Sequence, residues 1–317
     1  MTKSLVTGAA GFIGSNLVEY LLDQGHKTYR CLHSHYQHKQ FLDQGHEIVC
    51  VDNESANNDK FYWSNDSRVC NVSGDITDYQ FMKNVFTGVD YVFHLAAESR
   101  LQPAIENPIN AVNKNCVGTT VALQCAREAG VKRFIYSSTS SGYGNNPYPN
   151  VETQPDDCLN PYSASKVAGE KFCKMYSNLY GLETVVLRYF NVFGQRSPSR
   201  GQYAPVISIF QRQKEAGEPL TIVGDGSQRR DFVHVKDVAR ANYLASIMPL
   251  KGKVGEVFNV GSGKRYSIKD IADAISDNQV SIPTRSGEMD TTFADITKVG
   301  EVLGWKPEID VIDWIKK

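Results

Sequence analysis

Tyr162 and Lys166 are the residues of this chain whose types and spacing point most directly to chemistry. They lie in the run NPYSASK at positions 160–166, where Pro161 suits the first turn of a helix. Four residues apart, a phenol and an ammonium group share one helix face. A neighbouring cation lowers the pKa of a phenol from about 10, so this tyrosine could take a proton from a sugar or alcohol hydroxyl. The alternative is that Tyr162 and Lys166 are simply neighbours on a solvent-exposed helix face.

A glycine turn between a strand and a helix lies near the N-terminus. Positions 4–14 read SLVTGAAGFIG, and apolar residues at helical spacing follow over positions 17–22. Glycine lets a pyrophosphate approach the amide groups at a helix N-terminus, where the helix dipole favours negative charge. The glycine spacing is one residue wider than the commonest dinucleotide fingerprint, and a plain tight turn is the alternative. The order of strand, turn and helix favours a dinucleotide held at Gly8, Gly11 and Gly14.

Asp52 supplies the acid that would hold the adenine ribose. Positions 47–52 read EIVCVD, a strand ending in a carboxylate that accepts from ribose hydroxyls and repels a 2′-phosphate, which favours NAD over NADP. Asp52 lies far beyond the roughly 20 residues expected, but LDQGH at positions 22–26 recurs twenty residues later. We therefore expect residues 27–46 to be a displaced duplicated insert. The rival placement, with positions 29–32 in the sheet, would lose the ribose contact.

Five of the seven histidines lie at positions 26–46, including His33, His35 and His38. A zinc site is conceivable there, but no carboxylate or cysteine pair completes an obvious ligand spacing. A solvent-exposed surface segment explains the histidines more simply, and we predict no metal site.

Length and composition fit one globular enzyme with one large domain or two joined domains. The 317 residues carry a formal net charge of −1 with no basic stripe, which argues against nucleic acid as a partner. No apolar run reaches membrane-spanning length, and no secretory signal precedes the first strand. Seven scattered cysteines suggest reduced thiols. We expect a cytoplasmic protein that binds no membrane.

Strand and helix patterns alternate through the first two thirds of the chain. Strand patterns fall at 69–72, 91–95, 134–137 and 184–188, and helical patterns at 109–129 and 162–180. This alternation predicts an α/β fold with a doubly wound parallel Rossmann sheet in a domain of residues 1–188, and ligands outside the carboxyl ends of its strands. The irregular remainder, 189–317, predicts a smaller C-terminal substrate lobe with some segments returning to the first domain.

A cluster of hydroxyl groups follows the strand at 134–137. Positions 138–144 read STSSGYG, so Thr139 and its neighbours could bond the reacting oxygen and share its proton with Tyr162. A serine-rich turn is the alternative. The place of the cluster between a sheet strand and the helix of Tyr162 favours the functional interpretation.

Taken together, these residues resemble the extended short-chain dehydrogenase/reductase family, in particular its nucleotide-sugar epimerases and dehydratases. The matching segments are 7–14, 94–97, 138–144, 162–166, 188–191, 224–226, 230–237 and 285–288. The resemblance implies NAD as cofactor, a UDP-sugar as substrate and a role in carbohydrate metabolism such as polysaccharide biosynthesis. It also implies a homodimer formed through the helices at 109–129 and 162–180.

The resemblance also assigns residues to roles. Tyr162 would be the catalytic base, Lys166 would hold the nicotinamide ribose and tune Tyr162, and Thr139 would occupy the catalytic Ser/Thr position. Cofactor contacts fall on Gly8, Gly11, Phe12, Ile13, Gly14, Asp52, Asn53, Asp75, Ile76, Leu95, Ala96, Ala97, Tyr162, Lys166 and Phe190. Substrate contacts fall on Ser99, Thr139, Ser140, Tyr162, Asn191, Val206, Arg230, Arg285, Glu288 and Thr292. Arginine suits a diphosphate because its planar guanidinium group can bond two phosphate oxygens at once. The alternative for each of these arginines is an ion pair at the protein surface.

The residues after Thr139 separate reaction types within the resemblance. Dehydratases of the family place Asp-Glu there, and related decarboxylases keep the Glu, whereas this chain has Ser140 and Ser141. Serine cannot do that acid–base work near neutral pH, so C4 epimerisation through a 4-keto sugar is favoured. Tyr162 would take the C4 proton while a hydride passes to NAD⁺, and the hydride would return to the opposite face after the sugar turns.

Two further positions bear on substrate and stability of the site. Thr292 resembles a position where some epimerases carry a bulky tyrosine, so a small threonine leaves room for an N-acetyl group at C2. Gly142 replaces an apolar residue of the family, which we expect to loosen the active-site turn. Two other classes stay open: an NAD-dependent oxidoreductase or dehydratase on the same scaffold, and a non-catalytic NAD-binding protein spoiled by the duplication.

Overall fold

The computed structural model describes residues 2–24, 48–55, 60–200, 204–283 and 291–317. The strands are β1 (Ser4–Thr7), β2 (Ile48–Asp52), β3 (Val69–Ser73), β4 (Tyr91–His94), β5 (Arg133–Thr139), β6 (Thr184–Tyr189), β7 (Asn191–Phe193), β8 (Leu220–Val223), β9 (Arg229–Arg230), β10 (Phe232–His234), β11 (Glu256–Val260), β12 (Tyr266–Ser267) and β13 (Gln279–Ile282). The helices are α1 (Phe12–Asp23), α2 (Tyr79–Val85), α3 (Leu101–Glu106), α4 (Pro108–Val112), α5 (Thr119–Ala129), α6 (Pro161–Tyr180), α7 (Val206–Glu215), α8 (Val235–Ile247), α9 (Ile268–Ile275), α10 (Thr297–Leu303) and α11 (Val311–Ile315).

A seven-stranded parallel sheet forms the centre of the molecule. Its order is β11-β6-β5-β4-β1-β2-β3, so the chain reverses direction across the sheet between β1 and β4. Ligands of such sheets bind outside the carboxyl ends of the strands at this switch point. The predicted doubly wound parallel sheet is confirmed.

The strand beside β1 on one side is β2, with Val6 opposite Cys50. The prediction that the second copy of the duplication provides the sheet strand is therefore confirmed. The insert at 27–46, its histidines and the rival strand at 29–32 lie outside the described residues. Within the described ranges, no group of three or more histidine, cysteine or acidic side chains is placed to hold a metal ion.

The helix that carries Tyr162 is specified locally at both ends. Asn160 Oδ1 accepts from Ser163 N at 2.9 Å, which caps the helix, and Pro161 occupies its first turn. The helix ends at Gly181, whose φ of 71° is a left-handed conformation that glycine adopts without strain. The helix predicted at 162–180 is confirmed as α6.

The helix predicted at 109–129 is three joined segments. The α-helices α4 and α5 flank a π-helical segment at Asn113–Gly118, in which an extra residue is accommodated in the turn. Such segments are frequent at functional sites. In this chain, the segment sends Lys114 and Asn115 towards the carboxyl edge of the sheet, as described below.

The residues after β6 build a second core and also complete the first. Phe193, Phe210, Leu220 and Ile271 belong to a separate apolar cluster, where β8 pairs with β13. β11, by contrast, joins the central sheet beside β6, and Ala241 of α8 is buried in the core of that sheet. Among the described helices, none combines the length and the apolar character needed to cross a membrane.

Candidate functional site

The glycine turn has the shape of an anion cradle. A Cβ on Gly8, whose φ is +70°, would lie 2.8 Å from Ala96 N, and a Cβ on Gly14 would lie 2.1 Å from Gly8 O. These two glycines are therefore required by internal packing. Gly11 differs, because a Cβ there would meet only Gly8 O at 3.4 Å. No side chain caps α1 at Gly11, so its first amide groups can receive a pyrophosphate.

Asp52 lies above this turn at the end of β2. Its Oδ2 accepts from Ala10 N at 3.1 Å, and its Oδ1 accepts from Glu54 N at 2.8 Å. Burial raises the pKa of the Asp52 carboxyl, although these backbone bonds oppose the rise. A carboxylate joined to the glycine turn is well placed to accept from a ribose, and the turn and Asp52 together fit an adenosine dinucleotide.

Asp75 is held by groups from three segments. Its Oδ2 accepts from Asn53 Nδ2 at 3.0 Å and forms an ion pair with Lys114. Its Oδ1 accepts from Thr77 N and Thr77 Oγ1 at 2.9 and 2.7 Å. Burial raises the pKa of Asp75, but the bonds from Lys114 and Thr77 prevail and hold it below its usual range. Sequence reasoning missed Lys114, since no motif marks it.

The other predicted cofactor contacts lie around the same edge. Phe12 and Ile13 begin α1, and Leu95 N donates to Thr7 O at 3.2 Å, which places the 95–97 segment, with Ala96 and Ala97, beside the glycine turn. Ile76 is buried, and a Cβ on Gly118 would lie 2.5 Å from its Cδ1.

His94 fixes the end of β4 under this segment. Thr7 Oγ1 accepts from Ala96 N at 3.2 Å and shares a hydrogen bond with His94 Nδ1 at 2.9 Å. On the other side of the ring, His94 Nε2 lies 3.1 Å from Thr119 Oγ1. Burial lowers the pKa of His94 to about 3, so the ring is a neutral structural group.

The expectation that Lys166 lowers the pKa of Tyr162 is not met. Lys166 is 3% exposed, and its Nζ lies 4.3 Å from the centre of the Tyr136 ring. Burial raises the pKa of Tyr162, a hydrogen bond with Thr139 lowers it, and the charge of Glu98 raises it again. The phenol is therefore protonated near neutral pH, because burial outweighs the bond with Thr139 and keeps the pKa of Tyr162 above its usual value.

Thr139 lies beside Tyr162, as predicted from the hydroxyl cluster. Its Oγ1 accepts from Ser141 N at 3.1 Å and donates to Ser141 Oγ at 3.1 Å. Ser140 is buried. The turn is not loosened at Gly142, because a Cβ there would lie 2.7 Å from Val167 Cγ2. Gly142 instead allows close packing of the turn on α6, which corrects the sequence-based expectation.

Asn115 joins the segments around Tyr162 and was missed by sequence reasoning. It is fully buried, its Oδ1 accepts from Glu98 N at 2.8 Å, and its Nδ2 donates to Ser165 Oγ at 2.9 Å. Ser165 Oγ donates in turn to the Tyr162 carbonyl at 2.9 Å. A polar residue inside a helical pattern was the signal in the sequence that could have found it.

The predicted substrate residues are only partly brought together. Asn191 Nδ2 donates to Asp231 O and to Thr292 Oγ1, both at 2.9 Å. Its Oδ1 is thus left as an acceptor, which suits a sugar hydroxyl better than a phosphate oxygen. Thr292 is 4% exposed and also accepts from Asp231 N at 3.1 Å. These bonds join Thr292 to Asn191 and Asp231, and its contact with a sugar stays a prediction.

The remaining predicted residues are more dispersed. Arg230 lies in β9, opposite Tyr266 of β12, Ser99 is exposed in the turn after β4, and Val206 begins α7. Phe190 is 3% exposed in a small core with Tyr143, and its contact with a cofactor stays a prediction. Arg285 and Glu288 lie outside the described residues.

Comparisons with known proteins agree with this architecture. The sequence model of the NAD-dependent epimerase/dehydratase family matches residues 4–261. The UDP-glucose 4-epimerase of Mycolicibacterium smegmatis is 36% identical, covering 99% of this chain and 96% of its own length. Two crystal structures each have a TM-score of 0.86 and cover 99% of this chain and 96% of their own. They are the UDP-glucose 4-epimerase from Thermotoga maritima with UDP-glucose, 32% identical, and the UDP-N-acetylglucosamine 4-epimerase from Methanobrevibacter ruminantium with UDP-N-acetylmuramic acid, 30% identical.

Proposed function

This chain belongs to the NAD-dependent epimerase/dehydratase family, and on that premise we propose that it inverts C4 of a UDP-sugar by reversible oxidation. The observation that carries the proposal is the hydrogen bond between Thr139 and Tyr162 at the carboxyl edge of the sheet, the same edge at which the glycine turn follows β1. The relatives named above are 4-epimerases of UDP-sugars.

The residues of the chain do the proton and binding work. When bound, NAD would supply hydride chemistry at sugar C4 and the positive charge of its oxidised ring. Tyr162 Oη takes the proton of the C4 hydroxyl and returns it to the new C4 oxygen, while Thr139 Oγ1 bonds the same oxygen. Lys166 binds the nicotinamide ribose. Arg230 anchors the diphosphate so that the sugar can turn.

Elimination of water is disfavoured by the residues around Thr139. A dehydratase needs an acid for the leaving hydroxyl, and the next two positions are Ser140 and Ser141. A reductase on this scaffold remains the alternative activity, and it would release its cofactor in each cycle. An epimerase regenerates the cofactor and keeps it.

For the substrate we propose both UDP-glucose/UDP-galactose and their N-acetylated counterparts. Position 292 is a small residue whose hydroxyl is bonded to Asn191. A threonine held in this way leaves the space that a larger side chain would take beside the C2 substituent. Of the two similar structures, the Thermotoga protein is named a UDP-glucose 4-epimerase and the Methanobrevibacter protein a UDP-N-acetylglucosamine 4-epimerase.

We also propose a homodimer in the cytoplasm. Ile109 and Val112 of α4 are 74% and 47% exposed, and Met175 and Leu179 of α6 are 39% and 65% exposed. Such apolar exposure on adjacent helices is typical of an interface. Sedimentation of the purified chain should give twice its mass of 35.3 kDa, and a monomer would contradict the dimer. Six free cysteines in the described residues suit a reducing compartment.

One assay tests the function. Purified protein without added cofactor should interconvert UDP-glucose with UDP-galactose, and the N-acetylated pair, as followed by chromatography. Tyr162→Phe should lower turnover by about 10²-fold or more and leave UDP-sugar binding nearly unchanged, because only the phenol hydroxyl group is lost. Full activity of Tyr162→Phe would refute the assignment, and a need for added NADH in each cycle would favour the reductase.

A further inference from the structure

A buried ion pair lies behind the helix face that carries the proposed catalytic residues. Arg188 of β6 donates from Nε to Glu170 Oε1 at 2.8 Å and from Nη2 to Glu170 Oε2 at 2.7 Å. Both side chains are only 3% exposed. A buried pair of this kind is often no more stabilising than apolar residues of similar volume. Stability alone therefore does not account for it.

The pair connects the segments on both sides of the reacting oxygen. Glu170 Oε1 also accepts from the hydroxyl of Ser138, the residue directly before Thr139. The guanidinium of Arg188 lies 4.5 Å from the centre of the Tyr143 ring, at the end of the turn that begins after Thr139. Glu170 itself is on α6, two turns beyond Tyr162. The Glu170–Arg188 ion pair thus contacts the end of β5, the turn that follows it and α6.

We infer that Glu170 and Arg188 are positioning residues, which hold the Thr139 hydroxyl and the Tyr162 phenol at a fixed separation between β5 and α6. The inference rests on the proposed function, because it assigns the pair to that reaction. Both groups act through their neighbours, since their side chains bond to Ser138, to Asp156 and to each other.

Glu170 also provides the negative charge near Lys166. The groups facing Lys166 are His94 from β4, Tyr136 from β5, Cys116 from the π-helical segment, and Tyr162, Glu170 and Cys173 on α6 itself. His94 is neutral, and burial raises the pKa of both thiols, so they are uncharged near neutral pH. Burial lowers the pKa of Lys166 to about 8, and Glu170 is the anion that opposes this fall.

The test variant removes both charges together. Glu170→Gln combined with Arg188→Met leaves no uncompensated ion in the core, so the full chain is expected to fold. We expect kcat to fall about tenfold to a hundredfold, with KM for the UDP-sugar and the amount of retained NAD almost unchanged. The basic limb of the pH–rate profile should move to lower pH, because Lys166 loses the anion that keeps it protonated.

Asp156→Asn is the matched control. Asp156 accepts from Arg188 Nη2 at 2.7 Å and also pairs with the exposed Lys171, so this variant removes a charge from the same network and leaves Glu170 in place. It should retain the kcat and the pH profile of the unchanged protein. A loss of kcat equal to that of the double variant would show that any damage to the network slows the enzyme, and would overturn the inference.

A second measurement does not depend on turnover. The carbon-13 chemical shift of Lys166 Cε as a function of pH, followed by NMR, reports its protonation without a reagent that must reach this buried group, and the double variant should titrate at lower pH. Unchanged kcat and an unchanged titration of Lys166 in a folded double variant would assign the pair to fold stability alone. If the unchanged protein converts no UDP-sugar, the proposed function fails, while the titration curves still decide whether Glu170 acts on Lys166.

Discussion

The type of a residue sets the chemistry that it can do, but its burial and its neighbours decide whether its pKa rises or falls. Tyr162 and Lys166 have the spacing expected of a phenol activated by a cation, yet burial raises the pKa of Tyr162 and Lys166 contacts Tyr136 instead. In the described structure, Thr139 is the group that lowers the pKa of the phenol.

Asp52 gives a prediction about the cofactor. Asp52→Ala removes a charged acceptor for the ribose, so we expect NAD affinity to fall about tenfold to a hundredfold, since a hydrogen bond to a charged group contributes about 1.5–3 kcal/mol. NADP affinity should fall less or rise, because repulsion of the 2′-phosphate is also removed. Calorimetric titration measures both. Asp273→Asn on the surface of α9 is the control, and equal losses for the two cofactors would contradict this role.

At the scale of elements, close contacts between neighbours determine the geometry of the site. The turn after β5 packs so closely on α6 that Gly142 has no room for a side chain. The π-helical segment between α4 and α5 places Asn115 between the 95–98 segment and α6. These contacts fix the distance between the hydroxyl cluster and the helix of Tyr162.

Gly142→Ala tests this packing. The added methyl would lie 2.7 Å from Val167 Cγ2, so we expect the free energy of unfolding to fall by about 1–3 kcal/mol in denaturant titrations. Val167→Ala in the same chain should restore part of that loss by making room. Gly300→Ala, whose nearest contact would be an ordinary 3.6 Å to Trp305 O, should not destabilise. Equal stability of Gly142→Ala and the unchanged protein would contradict the close contact.

At the scale of the whole molecule, Asp231 ties distant segments together. Its carboxylate accepts from Ser262 Oγ at 2.8 Å and from Gly263 N and Ala294 N at 3.1 Å each. The strand that contains Arg230 is thereby joined to the end of β11 and to the segment that holds Thr292. These hydrogen bonds hold the proposed substrate residues in place relative to the central sheet.

Asp231 predicts a pH dependence of stability. Burial raises its pKa from 3.8 to about 6, so the folded chain binds this proton more tightly than the unfolded chain. The stabilisation is complete below about pH 4 and is lost as the pH rises through 6, a change of about 3 kcal/mol. Asp231→Asn should remove this component from the pH dependence of Tm. His94 acts in the opposite direction in acid, but it is common to both proteins, and equal pH slopes would refute the assignment.

The sequence by itself determined the parallel sheet, the glycine turn, the place of Asp52 at the end of β2 and the boundaries of α6. Alternating strand and helix patterns, caps and turn glycines act over a few residues, so they can be recognised from the order of amino acids. The duplication could be resolved in the same way, because only one of its copies ends in an acid.

Only the tertiary structure decided the contacts of Lys166, the burial of Thr292, the fit of Gly142 and the roles of Lys114, Asn115 and Asp231. Each depends on groups brought together from distant positions, such as Asn191 and Thr292 or Asp75 and Lys114. Desolvation and charge act through space, and their balance for a buried side chain is fixed only when every neighbour is in place.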